Sequence, residues 1–186
     1  MNCRIVISVA IGMSILGCAG ESEEDSGFSD AAPEDIVEYY EVTGSGLWQG
    51  SYPYETHMVA LRVLQPSTST IFEHFIGLGE EAGESYEGTA QVDLETQAFT
   101  MTLTYPDGSY EGTGVLYGDA WDWHSWESET IGTDGTRVVS EDTKDDSGII
   151  ANKTGYDADG EEEWTMEEVL TPITEEEWLS LQEDLE

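Results

Sequence analysis

Strict two-residue alternation over the stretch from Glu84 to Trp126 restricts this chain to few architectures. Tyr86, Gly88, Ala90, Val92 and Leu94 alternate there with Glu87, Thr89, Gln91, Asp93 and Glu95. Gln97, Phe99, Met101, Leu103 and Tyr105 then alternate with Ala98, Thr100, Thr102 and Thr104, and a third run follows from Tyr110 to Gly118. Period two marks strands with one buried and one wet face. Asp107-Gly108 between the last two suits a tight hairpin, so the three runs form an antiparallel meander.

The same pattern extends in both directions. Strands are expected near 46–52, 57–65, 69–78, 84–94, 97–105, 109–118, 120–131, 135–143, 147–157 and 161–171. Asp134-Gly135 and Asp159-Gly160 supply two more hairpin turns. Many short-linked strands with no helix between them predict an all-β fold, an up-and-down meander closed into a barrel of about eight to ten strands. Closure also removes exposed sheet edges. Upstream, Pro33 to Tyr40 suits either a first helical turn or a first strand. Downstream, Pro172 ends the last strand, and Thr174 with Glu177 three residues on makes a capping box for a short C-terminal helix. In the last strand Trp164, Met166 and Glu168 share one side.

Charge narrows the function classes. Five Lys+Arg stand against 41 Asp+Glu, a formal net charge of -36. Such a chain repels phosphate backbones, so nucleic acid is not an expected partner. The surplus acid serves solubility, a surface for divalent cations or a basic partner, or a saline habitat.

The first residues form a targeting segment, residues 1–17, with Arg4 ahead of a short apolar run from Ile5 to Leu16. Ile15-Leu16-Gly17-Cys18 resembles a bacterial lipobox. The resemblance implies that Cys18 is acylated and becomes the first residue of a protein anchored in the bacterial envelope, with Ala19 fitting the outer membrane. Residues 18–35 then read as an acidic tether and 36–186 as the folded domain. Cys3 leaves with the leader, so no internal disulfide is expected.

Gly46-Leu47-Trp48, placed at the start of the first strand, resembles the Gly-X-Trp opening of lipocalin-like barrels. With the meander, the glycines of the middle strands and Trp164 in the last strand, Gly46 to Leu170 resembles a calycin-type domain of bacterial lipoproteins. That resemblance implies a central cavity for a small apolar ligand and no catalytic residues. Trp48, Phe72, His74, Trp121, Trp123 and Trp164 are the residues expected to line it. Trp121 and Trp123 share one face of their strand, and Trp126 joins Asp122 and His124 on the other.

Catalytic and metal chemistry finds little support. His74, in phase with Phe72, Ile76 and Leu78, is expected to point into the lumen; some related barrels hold haem on such a histidine, but a hydrogen-bonded core histidine is commoner. No histidine pair has zinc spacing, and no Ser or Cys has a nucleophile's setting. Asp157-Ala158-Asp159-Gly160-Glu161 resembles the start of a calcium loop yet reads as a charged hairpin turn. No cofactor is expected. Two readings remain: a membrane-anchored, non-catalytic binder of a small hydrophobic or amphipathic molecule, and a structural module with a plugged barrel and an acidic interaction surface.

Overall fold

The computed structural model describes residues 33–106, 108–119 and 121–183. The leader, Cys18 and most of the tether lie outside the described residues. The strands are β1 (Ile36–Trp48), β2 (Tyr52–Gln65), β3 (Thr70–Gly77), β4 (Ser85–Val92) and β5 (Ala98–Tyr105). They continue as β6 (Gly108–Asp119), β7 (Asp122–Gly132), β8 (Arg137–Asp145), β9 (Gly148–Tyr156) and β10 (Glu162–Ile173). Each pairs antiparallel with the next and β10 returns to β1, closing a ten-stranded up-and-down barrel. The expected all-β barrel is the fold.

At its start one open choice is decided and one expectation is corrected. Pro33 to Tyr40 leads into β1 and forms no helical turn, because β1 pairs with β2 from Ile36 onward and with β10 from Tyr39. Val37, Tyr39 and Tyr40 favour that extended pairing. Gly46-Leu47-Trp48 therefore ends the first strand instead of opening it.

Alternation sets the faces. Phe99, Met101, Leu103 and Tyr105 of β5 face inward with Tyr86, Gly88, Ala90 and Val92 of β4, as the period predicts. Gly135 and Gly160 turn the β7–β8 and β9–β10 hairpins at φ of 90° and 84°, a region that favours glycine. Between β5 and β6, Tyr105 pairs with Gly108, so the expectation that Gly108 forms the turn is corrected: it is the first residue of β6, and Asp107 lies outside the described residues.

A register shift interrupts the alternation in β7. Tyr117 pairs with Ser125, but the next residue, Gly118, pairs with Trp123. This bulge adds a residue to β7 and turns both Trp123 and Trp126 inward, with ring centroids 5.7 Å apart. The expected placement of Trp126 with Asp122 and His124 is thereby overturned, since it requires an unbroken period.

One half of the barrel is filled. Val42, Leu64, Ile71, Val92, Phe99, Leu116, Trp123 and Ile149 pack into a buried cluster near the end that carries the β4–β5 and β8–β9 turns. Outside the barrel, α1 (Glu175–Glu183) begins with the expected capping box: Thr174 N–H donates to Glu177 Oε2 at 2.8 Å, and Glu177 N–H to Thr174 Oγ1 at 3.2 Å. Trp178 of α1 packs on Tyr39 of β1 with ring centroids 5.4 Å apart.

Gly114 shows how tightly the filled half is built. It pairs with Phe99, and a Cβ there would lie 2.2 Å from both the Phe99 ring and the Glu127 carbonyl oxygen. Gly114→Val should therefore destabilise the barrel by about 1–3 kcal/mol in denaturant unfolding. Unchanged stability would contradict the packing of Phe99 across this strand.

Candidate ligand-binding cavity

Above the filled half the lumen is open. A cavity of about 1020 Å³ runs from rim residues Trp48, Gly83, Glu84 and Pro106 down to Arg62, Glu73, Asp142, Lys153 and Glu168. Its mouth lies at the end carrying the β1–β2, β3–β4 and β5–β6 turns. Aromatic side chains form much of the wall. Phe75 stacks on Tyr86 with centroids 4.5 Å apart, Tyr86 on Tyr105 at 4.8 Å, and Tyr105 meets Tyr110 edge-on at 5.5 Å. These residues come from β3, β4, β5 and β6 in turn, so the stack follows the barrel circumference. Tyr54, Trp48 and Trp164 continue the wall on the other side, with Trp48 paired opposite Trp164. Gly155 of β9 makes room for the Trp164 ring: a Cβ there would lie 2.1 Å from it.

The floor is charged. Arg62 and Glu73 sit opposite each other on β2 and β3, with Arg62 Nε donating to Glu73 Oε1 at 2.6 Å and Nη2 to the same oxygen. Lys153 Nζ of β9 donates to Glu168 Oε2 of β10 at 2.5 Å. Lower in the barrel, Lys144 of β8 reaches Glu38 of β1 at 2.8 Å, bridging strands that are not neighbours. Burial works against the Arg62 and Lys153 cations. Glu73 offsets that for Arg62 and Glu168 for Lys153, so both pKa values stay above their usual range. The Arg62 guanidinium also lies over Trp123, 5.4 Å from the ring centroid, and over Trp126 at 5.9 Å.

Asp142 of β8 belongs to the same floor and, among the described residues, makes no ion pair. It stands across from Trp126 on β7 and Ala151 on β9, and Glu168 stands beyond Ala151 in the same row. Its Oδ1 accepts from Ser140 Oγ at 2.5 Å. Burial pushes its carboxyl pKa up to about 6, although the Ser140 hydrogen bond, Lys153 and Arg62 pull the other way.

The residues expected to line the lumen separate into three groups. Trp48 and Trp164 lie on the cavity wall. Trp123, 1% exposed, lies inward but beneath the floor in the filled half, and Trp121 packs partly buried against that cluster. Phe72 and His74 do not face the lumen, because Ile71, Glu73 and Phe75 occupy the buried phase of β3. The expectation that His74 points inward is corrected, and with it the position suggested for haem. The apolar phase of Phe72 and Ile76 pointed the wrong way; the inward phase holds Glu73, which matches Arg62. Asp157 makes a turn: its Oδ1 accepts from the N–H groups of Asp159 at 3.0 Å and Glu161 at 2.9 Å.

Sequence reasoning missed the floor. A signal was available, since Arg62 is in phase with Ala60 and Leu64, and Glu168 with Met166 and Leu170. The chain matches no known family model and no curated protein sequence.

The pKa of Asp142 has a consequence for stability. A carboxyl raised in the folded state binds its proton more tightly than in the unfolded chain, so ionisation above about pH 6 penalises the fold. Below the unfolded value, 3.8, both states are protonated and the penalty vanishes. Asp142→Asn should thus stabilise the barrel at pH 7 by about 1–3 kcal/mol, and the gain should fade as pH drops through 6 toward 4. Equal stability of the two proteins at pH 7 in urea unfolding would contradict the enclosed floor.

Proposed function

We propose that this chain is a non-catalytic binding protein for a small amphipathic molecule, held at the bacterial envelope by a lipid on Cys18. The observation that carries the binding reading is the open half of the lumen, with aromatic walls above a polar floor. Apolar walls with a few placed polar groups are the usual make-up of a small-molecule site. A cavity of about 1020 Å³ favours this reading over a plugged structural module. Burying about 250 Å² of an alkyl chain against the wall would contribute roughly 6 kcal/mol before ordering costs, which sets micromolar affinity as the expected scale.

Trp48, Trp126 and Trp164 line the cavity and report its occupancy. Titrating the purified protein with single-chain amphiphiles below their micelle concentrations should change Trp emission and saturate. Ser128 of β7 faces this lumen, and Ser128→Phe should fill part of it and weaken binding by about tenfold or more without loss of the fold. If no amphiphile binds more tightly than about millimolar, or if Ser128→Phe binds as well as the parent, the binding function fails.

Anchoring rests on the lipobox-like Ile15-Leu16-Gly17-Cys18 and the acidic stretch beyond it. Mass spectrometry of protein from bacterial membranes should show an acylated N-terminal Cys18, and Cys18→Ala should remain uncleaved and unacylated. A wild-type chain cut elsewhere and lacking acyl mass on Cys18 would remove the anchor.

A further inference from the structure

We propose that the ligand's polar end is a cation, a protonated amine or quaternary ammonium, that seats at the cavity floor against Asp142 beneath an aromatic wall. This rests on the proposed binding function and specifies its ligand class. Charge bookkeeping in the lumen is the main ground. Arg62, Lys144 and Lys153 point inward, and each already holds its own carboxylate: Glu73, Glu38 and Glu168 respectively. Asp142 is left over. Among the described residues it makes no ion pair, and its hydrogen bond comes from the neutral hydroxyl of Ser140.

An enclosed carboxylate without a counterion is unfavourable, and a positive group brought beside it supplies the missing partner. The setting suits such a group in a second way. Tyr54, Tyr86, Tyr105, Tyr110, Trp126 and Trp164 surround the space above the floor. Aromatic faces attract cations, quaternary ammonium above all, and do so most strongly where water is excluded. At the mouth, Glu84 lines the cavity, and the chain's net charge of -36 draws cations toward it.

The charged groups facing Asp142 are Arg62 of β2, Glu73 of β3, Lys153 of β9 and Glu168 of β10. Arg62 is the rival feature, since its Nη1 has no hydrogen-bond partner among the described residues and would suit an anion. Its Nε and Nη2 are committed to Glu73, however, and its face is covered by Trp123 and Trp126. The two ion pairs sum to zero charge, so Asp142 supplies the floor's net negative charge.

Three probes of one chain length separate the possibilities: dodecyltrimethylammonium, dodecanol and dodecanoate, titrated into the whole protein below micelle formation. At pH 7.5 the ammonium should bind about tenfold or more tighter than the other two. The preference should collapse to within about threefold in Asp142→Asn, yet persist in Glu141→Gln, which removes an exposed acid beside it and controls for attraction to the outer surface. Lowering the pH from 7.5 to 5 should weaken ammonium binding by about tenfold in the wild type, as Asp142 takes up its proton, and much less in Asp142→Asn. Calorimetry near pH 6 in buffers of different ionisation heat should show proton release on ammonium binding, a readout that does not depend on any variant. Equal or tighter binding of dodecanol or dodecanoate overturns the cation assignment and leaves the binding function standing. Failure of all three probes to bind overturns both.

Discussion

The layer of paired charges inside the barrel is the constraint on which the rest of the structure depends. Arg62–Glu73 and Lys153–Glu168 lie inside the barrel, between the apolar cluster and the open cavity. Charges in such a place survive only when paired and hydrogen-bonded, because desolvation costs each ion several kcal/mol. Their pairing across neighbouring strands fixes the register of β2 against β3 and of β9 against β10. The layer also divides the lumen. Below it the apolar cluster closes one end, and above it the long polar side chains leave an open, aromatic-walled space.

That division explains the distribution of charge over the whole chain. Three of the five basic residues, Arg62, Lys144 and Lys153, are spent inside the barrel. Arg137, on β8, lies against Tyr156 with its guanidinium carbon 4.1 Å from the ring centroid and pairs with Glu129 on the surface. The acidic exterior therefore goes largely unneutralised, and the interior is close to balanced, with Asp142 as the remainder. An acidic outside and a nearly balanced inside come from the same skewed composition.

Most of the fold was legible in the sequence because alternation is a local property. The inward faces of β4, β5 and β10, the Asp-Gly turns at Gly135 and Gly160, and the Thr174–Glu177 cap each depend on residues a few positions apart. The misplacements arose where the pattern breaks or is shared by both faces. Unbroken alternation places Trp126 on the outer face, but the β7 bulge, marked in the chain only by Gly118 (φ 114°), shifts the phase by one residue. Phe72 and Ile76 make the outer face of β3, which carries His74, look apolar, while the inward Glu73 looks like a surface acid. Only the partner strand reveals that Glu73 answers Arg62. Long-range pairings such as Lys144 with Glu38 carry no local signal at all.

The enclosed floor carries one carboxylate more than it has cations. Carbon-13 NMR of the Asp142 side-chain carboxyl, followed across pH in the ligand-free protein, measures this directly. The structure predicts a titration midpoint near the value of about 6 set by burial. A midpoint near 4, the ordinary range of a solvated aspartate, would mean that the floor is open to bulk water or that Asp142 has found a cation of its own, and either result would contradict the account.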